Sequence, residues 1–384
     1  MKISAEYIWI DGTSPTKKLR TKNKILSLTA KQDKSKGKTF AQLSDSMDQQ
    51  ELLMLYRDQD WWMDEDTSRN NIDYLQKLII PEWGFDGSST EQADTKPSDR
   101  PLRPICATLN PLRDRSILVL CEVLDADGTK PHKSNTRARA AELAKKFESY
   151  ECLFGIEQEY NLFEAGTLAP IPLGWPERGP APPQGKYYCG VGADEVHGYG
   201  ISIEHEEACR DAGLSIGGTN AEVMPGQWEF QTDTSKPLVV ADHLWLSRYL
   251  LYRIASRHNA IVKLHPKPLS DWNGAGAHTN FSTKAMRAKK GIDACITACE
   301  SLKVRYDAEG FPAVYGDDYQ KRLVGALETC SHKEFKYGVA DRGASIRIPL
   351  HVQAAGSGYI EDRRPCANVD PYEVVAYLME TICS

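Results

Sequence analysis

The segment Glu6–Asp11 gathers Tyr7, Ile8, Trp9 and Ile10 into a run of strand length that stops at the turn pair Asp11-Gly12. Apolar content returns at Leu52–Tyr56 and Ile72–Ile80, and again in Ile117-Leu118-Val119-Leu120, an unbroken run that fits a buried strand. Ile117–Leu124 is the longest strongly apolar stretch, and Glu122 interrupts it. It is far shorter than the roughly 20 residues a membrane helix needs. Asp127-Gly128 and Pro131 then punctuate the chain. This β-rich pattern defines a first domain over 1–130 and leaves 131–384 for a second.

Helical spacing enters in the second region. Ser134 or Asn135 is placed to cap a helix rich in Ala, Arg, Lys and Glu that runs to about Glu148. Phe154–Leu162 reads as a strand, and the prolines and glycines of Ala169–Gly185 mark a loop or arm. Ile203–Ala212 reads as a helix halted by Gly213. Leu238–Arg257 carries Leu244, Leu251 and Ile254 or Ala255 at helical spacing and predicts a long helix. Asp370, Pro371 and Glu373 stand where an N-cap, an N1 proline and an N3 acid open a last helix. There is no internal repeat. The mixture is α+β.

Composition narrows the class. The 384 residues exceed one ordinary core, which supports two domains. With 41% hydrophobic and 26% charged residues, the chain has the content of a folded globular protein. A net charge of −6 speaks against nucleic-acid binding, which requires concentrated positive charge. The lysines of Lys17–Lys38 read as a solvated loop. Met1–Tyr7 lacks the pattern of a secretory signal, so the expected location is cytoplasmic. Ten cysteines with no CxxC pair fit reduced thiols, and Cys295 and Cys299, four apart, fit helix packing.

The chemistry concentrates in five segments. In Gly155-Ile156-Glu157-Gln158-Glu159-Tyr160, strand alternation points Glu157 and Glu159 the same way, and two such charges repel unless a cation lies between them. In Gly217–Phe230, Glu222 follows glycines and Glu229 sits between Trp228 and Phe230 across a Pro-Gly break that resembles a hairpin. Such a carboxylate is either exposed on an alternating strand or buried with a partner. Asn273-Gly274-Ala275-Gly276-Ala277-His278-Thr279-Asn280 brings His278 in on glycines that permit close backbone approach. Tyr359–Pro365 sets Glu361 and Asp362 beside Arg363 and Arg364, and Gly338–Arg347 sets Arg342 and Arg347 around a Gly-Ala-Ser turn. Each alone has a bland reading as a solvated face or salt-bridge cluster. Together, oxygen-rich ligands favour Mg or Mn, and arginines suit phosphate and carboxylate. That set implies phosphoryl chemistry without a P-loop, because GxxxxGK[ST] does not occur.

The segments YIWIDG, WGFDGSSTEQ, FGIEQEY, PPQGKYYCGVGAD, GGTNAEVMPGQWEFQ, NGAGAHTNFSTKAMR, YGVADRGASIRIP and YIEDRRPCANVDPY resemble, in order and over nearly the whole chain, the eukaryotic-type (type II) glutamine synthetases. The resemblance implies a small N-terminal β-grasp domain and a larger catalytic α/β domain. It implies ATP-dependent ligation of ammonia to glutamate through a γ-glutamyl phosphate, and a ring homo-oligomer of two stacked pentamers with active sites between neighbours. By motif position it implies Glu157, Glu159, Glu222, Glu229, His278 and Glu361 as metal ligands. Asn273 and Gly274 correspond to the glutamate-binding loop, and Arg322 and Arg363 to the arginines on glutamate and its phosphorylated form. Arg342 and Arg347 correspond to ATP-phosphate arginines, and Asn280, Ser282, Arg287 and Tyr359 lie at positions near the nucleotide. Asp86 corresponds to the residue that reaches an ammonium site across the interface and deprotonates it, and Glu328 to the glutamate that closes it.

Three departures accompany the resemblance. Where the family reads RLTGxHET, the chain has Arg322-Leu323-Val324-Gly325-Ala326-Leu327-Glu328-Thr329, with Val324 and Leu327 in place of threonine and histidine. Leu153 stands where a tryptophan is usual, and the stretch Lys31–Tyr74, with Trp61-Trp62-Met63, is long. Two rival readings are a non-catalytic relative, which would bind neither metal nor ATP, and a ligase of the same superfamily for another amine or acid.

Overall fold

The computed structural model describes residues 2–27, 80–166, 171–176 and 184–384. The expectations for Leu52–Tyr56, for Trp61-Trp62-Met63 and for the lysines beyond Ser27 lie outside the described residues, as does most of the Ala169–Gly185 arm. Contacts divide the chain into two units, Met1–Asn135 with Asp211–Gly213, and Thr136–Arg210 with Leu214–Ser384. The fold is α+β.

The first unit is built on five strands, β1 (Lys2–Ile10), β2 (Leu19–Ser27), β3 (Trp83–Asp86), β4 (Asp99–Leu109) and β5 (Ser116–Val123), in the order β2-β1-β5-β4-β3. The β1–β5 pair is parallel, and the other neighbours are antiparallel. Alternate residues Ile3, Ala5, Tyr7 and Trp9 of β1 enter a core with Phe85, Leu102, Val119 and Cys121, as strand periodicity requires. The first strand therefore begins at Lys2, earlier than the apolar run indicated, because Ile3 and Ala5 belong to the same face. The turn after it is organised by Asp11, fully buried, whose carboxylate accepts from the N–H groups of Thr13 (3.0 Å) and Lys18 (2.9 Å) and from Arg20 Nε (2.9 Å).

The reading of the lysine run as a solvated loop needs correction where the chain is described. Lys22 and Lys24 belong to β2, paired along its length with β1. Lys22 Nζ sits 3.9 Å from the Trp83 ring centroid and donates to the Gly84 carbonyl at 2.8 Å. The ammonium heads of Lys22 and Lys24 lie over the Trp83 ring as cation–π contacts of a strand, so charge density did not signal a loop.

The second unit holds an eight-stranded sheet. Its strands are β6 (Leu153–Glu164), β7 (Gly218–Ala221), β8 (Gln227–Gln231), β9 (Ala260–Lys263), β10 (Ala277–Ser282), β11 (Tyr337–Val339), β12 (Ile346–Ile348) and β13 (Ile360–Asp362). The order is β11-β12-β13-β10-β6-β8-β7, with β9 paired to β6. Its helices are α1 (Thr136–Lys146), α2 (Tyr199–Asp211), α3 (Pro237–Arg257), α4 (Lys284–Arg287), α5 (Ile292–Glu309), α6 (Tyr319–Arg322), α7 (Leu350–Ala355) and α8 (Pro371–Cys383). Helix α3 packs on β6 and β9, and α8 packs on α1, α3 and α5. Asp370 caps α8 by accepting from the Tyr372 N–H at 3.1 Å. Helix α2 starts at Tyr199, a turn before the apolar run. No helix among the described residues is long and apolar enough to cross a membrane.

Strand β6 has two different faces. Glu157 and Glu159 point to one side, and Gln158 between them points to α3. There Arg248, 1% exposed, donates from Nε to Gln158 Oε1 (2.9 Å) and from Nη1 and Nη2 to the carbonyls of Val369 (2.8 Å) and Ala367 (3.1 Å). One guanidinium thus ties the helix layer, the acidic strand and the segment before α8. An unpartnered buried acceptor costs about 1–3 kcal/mol. Arg248→Met, which keeps the volume but removes every donor, is expected to lower unfolding stability by about 3–5 kcal/mol in a denaturant titration. A change below about 1 kcal/mol would show that the tie is dispensable.

Candidate active site

The acidic face of β6 gathers its neighbours through strand register. Antiparallel pairing sets His278 of β10 opposite Glu157, and Glu229 of β8 opposite Glu159. Pairing of β12 with β13 sets Arg347 opposite Glu361. Glu222 occupies the turn of the β7–β8 hairpin, where its N–H donates to the Gln227 carbonyl at 2.8 Å. These side chains line a cavity of about 370 Å³ together with Asn273, Gly274, Arg322, Glu328, Arg342 and Arg363.

The first cluster is Glu157, His278 and Glu361, whose ligand atoms all lie within 4.8 Å of one another. His278 Nδ1 is 3.5 Å from Glu157 Oε2 and 3.6 Å from Glu361 Oε1. Arg322 donates from Nη2 to His278 Nε2 at 2.9 Å. A guanidinium can only donate, so in this arrangement the neutral ring carries its proton on Nδ1, between the two carboxylates. Burial, then Arg363 and Arg322, hold the imidazole well below its ordinary pKa. Glu361, 2% exposed, accepts from Arg347 at 2.7 Å and from Arg363 at 2.5 Å.

The second cluster is Glu159, Glu222 and Glu229. Burial pushes the Glu159 carboxyl up to about 7 against the pull of Arg322. Burial and Glu159 push Glu222 up to about 8. Burial, Glu157 and Glu159 push Glu229 up to about 9. Amides fill part of the deficit, since Gln231 Nε2 donates to Glu229 at 2.5 Å, Gln227 Nε2 to Glu159 at 3.0 Å and Asn220 Nδ2 to Glu222 at 3.1 Å. Three carboxyls that resist ionisation, first because they are buried and then because they face one another and Glu157, form a site that a cation stabilises. The donors are oxygen-rich with one imidazole, which fits Mg or Mn.

The other expected residues divide into three groups. Asn273, Gly274, Arg322, Arg363, Arg342, Arg347 and Glu328 line the cavity. Asn280, Ser282, Arg287 and Tyr359 do not. Asn280 nonetheless reaches Glu157, donating from Nδ2 at 2.9 Å, and Arg287 donates from Nη1 to Ser282 Oγ at 2.9 Å. Asp86 belongs to the first unit and is exposed there, accepting from the N–H and hydroxyl of Ser88 at 2.9 and 2.7 Å.

Sequence reasoning missed the amides Gln184, Gln227 and Gln231. Gln184 pairs reciprocally with Asn273, donating to Asn273 Oδ1 at 2.5 Å and accepting from the Asn273 N–H at 3.1 Å. Its only advance signal was its place between Pro183 and Gly185. Glu328 and Leu327 form the centre of a turn, with φ of 61° and 53° and the Thr329 N–H donating to the Ala326 carbonyl at 3.2 Å. That is the geometry of a type I′ turn, built here without glycine or asparagine at either central position.

The chain is 48% identical to the glutamine synthetase of Streptomyces viridochromogenes over 386 aligned positions, covering all of this chain and 98% of the relative. The chain belongs to the glutamine synthetase family. The family's catalytic-domain model, described as "Glutamine synthetase, catalytic domain", matches residues 134–293. The glutamine synthetase of Streptomyces hygroscopicus is 46% identical with the same coverage, and that of Tuber borchii is 48% identical over 306 positions, 79% of this chain and 84% of the relative. Glutamine synthetases use divalent metals and ATP, and Glu157, His278 and Glu361 form the candidate metal site of this member.

Raised carboxyls have a sign in stability. Glu229 in the fold binds its proton more tightly than the ordinary value of 4.5, up to about 9, so the folded state carries more protons than the unfolded one between those values. Stability is then lost as pH rises. The buried His205, His243 and His278 are all lowered from 6.5 and act below that point, while buried thiols such as Cys209 and Cys299, raised from 9.0, add a fall of the same sign near pH 9, so the Glu229 share is read from the difference between the two proteins. Metal-free protein is expected to show a falling Tm from pH 6.5 to 9, with a shallower fall in Glu229→Gln. Equal slopes in scanning calorimetry would remove Glu229 from this account.

Proposed function

We infer that this chain catalyses ATP-dependent ligation of ammonia to the side-chain carboxylate of glutamate, through γ-glutamyl phosphate, giving glutamine, ADP and phosphate. Family membership over the full chain supports the reaction. The observation that carries the reading to these residues is that one cavity is lined by the glutamates Glu157, Glu159, Glu222, Glu229 and Glu361 together with the arginines Arg322, Arg342, Arg347 and Arg363.

In this reading Glu157, His278 and Glu361 hold one divalent cation, Mg or Mn, and Glu159, Glu222 and Glu229 hold a second. When bound, the cations offset negative charge on the phosphoryl oxygens during transfer. Arg342 and Arg347 meet the ATP phosphates, and Asn280, Ser282, Arg287 and Tyr359 serve the nucleotide. Arg322 and Arg363 bind glutamate and its phosphorylated form, where a guanidinium fork matches both carboxylate and acyl phosphate. Asn273 and Gly274 orient the glutamate, with Gln184 holding Asn273 in place.

Transfer of the γ-phosphoryl group to the glutamate carboxylate gives an acyl phosphate. Ammonium is attracted to the carboxylates around Glu159, Glu222 and Glu328. Asp86 of a neighbouring copy takes its proton, and the resulting ammonia attacks the acyl carbon and expels phosphate. Glu328 closes over that step and keeps out water, the competing nucleophile. The residue 1–130 domain and the 131–384 domain meet between copies in this scheme, which requires a ring homo-oligomer, two stacked pentamers by family likeness.

The second reading, a ligase for another amine, is kept in view by Leu327, an apolar side chain that lines the cavity next to Glu328. Glutamine formation is expected only when glutamate, ATP, ammonium and Mg are all present. Methylamine and ethanolamine are expected to support less product than ammonium. Product from either amine exceeding that from ammonium would replace ammonia in the proposal. Glu157→Ala is expected to reduce turnover at least about 100-fold through loss of cation binding, and unchanged turnover would remove Glu157 from the ligand set. Asp86→Ala is expected to depress ammonium-dependent turnover while sparing metal binding, so an equal loss of both would point to assembly.

A further inference from the structure

Two thiols outside the cavity touch. Cys152 immediately precedes β6, and Cys383 is the final residue of α8. They are 231 positions apart in sequence, both buried, with their Sγ atoms 3.7 Å from each other. We propose that Cys152 and Cys383 are a dithiol oxidation site, which a small-molecule disulfide converts to an intramolecular disulfide stapling the C-terminal helix to the start of β6.

The two partners differ in freedom. Cys152 is fixed from both sides. The Glu151 carbonyl accepts from Arg287 Nη2 at 2.7 Å, and the residues from Leu153 onward are paired with β10. Helix α8 is held as far as Thr381, whose hydroxyl accepts from Arg305 Nη1 at 2.8 Å. Cys383 lies two residues beyond that anchor, at the end of the helix. Such ends open at little cost. A disulfide needs its sulfurs at about 2.05 Å, so roughly 1.7 Å must be closed, and the last turn of α8 is the part able to move.

The exchange balances in two steps. With the last turn open, Cys383 gives up its proton, and its thiolate attacks one sulfur of oxidised glutathione. A mixed disulfide forms, and one glutathione leaves as thiolate and takes up a proton. When the turn closes again, Cys152, deprotonated, attacks Cys383 Sγ and expels the second glutathione. Two protein thiols are oxidised, and one small disulfide is reduced to two thiols. Cys152 suits the second role, since the nearby Arg287 charge favours its thiolate against the effect of burial, and it lies next to Cys383 when the turn is closed. Plain packing of two thiols as small apolar groups is the alternative, and it predicts no exchange under native conditions.

The test uses the full chain, reduced and then equilibrated with glutathione buffers of increasing oxidised fraction, acid-quenched, alkylated and digested. The expected result is a linked Cys152–Cys383 peptide at the oxidising end. It should come with a Tm roughly 3–8 °C higher that dithiothreitol reverses, as closing a loop this long implies. Cys383→Ser, or Cys383→Ala if the serine variant fails to fold, should show neither. Recovery of both residues as alkylated thiols or as glutathione adducts, while exposed Cys189 reacts, overturns the proposal. So does a linked peptide without a rise in Tm. Neither readout depends on the reaction assigned to the cavity.

Discussion

The constraint on which the second unit turns is the cost of burying, side by side, the carboxylates that its sheet brings together. Glu157, Glu159, Glu222, Glu229 and Glu361 line one cavity, and Glu159, Glu229 and Glu361 are each at most 8% exposed. Desolvation alone makes such charges expensive, and proximity adds to the cost. The fold offsets it by three devices. Arg347 and Arg363 neutralise Glu361, amide side chains donate to Glu159, Glu222 and Glu229, and protons remain on those three carboxyls to higher pH than usual. These compensations distinguish the buried cluster from a solvated acidic face, which needs none of them.

Positioning such a cluster requires a rigid support, and the sheet supplies it through a strand whose two faces have opposite chemistry. Glu157 and Glu159 face the cavity while Gln158 reaches back to Arg248 on α3. The buried guanidinium spends its donors on an amide and two backbone carbonyls, so it is satisfied without a carboxylate partner. This keeps positive charge behind the acidic strand without drawing either glutamate away from the cavity. A carboxylate at position 158 would add to the charge the site must already manage. The neutral amide between two acids is thus part of the electrostatics of the site as well as of its packing.

Local pattern carried much of this, and its failures have physical causes. Long, largely buried elements such as α3 and β5 were legible because apolar content persists over many residues. The i, i+2 reading of Glu157 and Glu159 needed nothing beyond strand geometry. The pairing of His278 with Glu157 and of Arg347 with Glu361 rests on register between strands over 100 and 14 positions apart, which no single segment encodes. β2 was misread because lysines over an aromatic ring look in sequence like lysines in water. Gln184, Gln227 and Gln231 escaped because glutamine carries no charge pattern, and their roles appear only once the carboxylates they serve are in place.

The segment carrying Leu327 and Glu328 shows a different balance. Two successive residues with side chains at positive φ cost of order 1–2 kcal/mol each, and no glycine relieves either. What opposes the strain is modest. Thr329 Oγ1 donates to the carbonyls of Ala326 (2.7 Å) and Arg322 (3.3 Å), Arg342 lies 3.4 Å from Glu328, and Arg363 donates to the Glu328 carbonyl at 3.4 Å. The Arg342 pair is exposed on both sides and contributes little on its own. A strained turn held by weak, arginine-dependent contacts has neighbouring conformations at similar free energy. The same arginines face the cavity, so any anion that engages Arg342 or Arg363 competes with Glu328 for them.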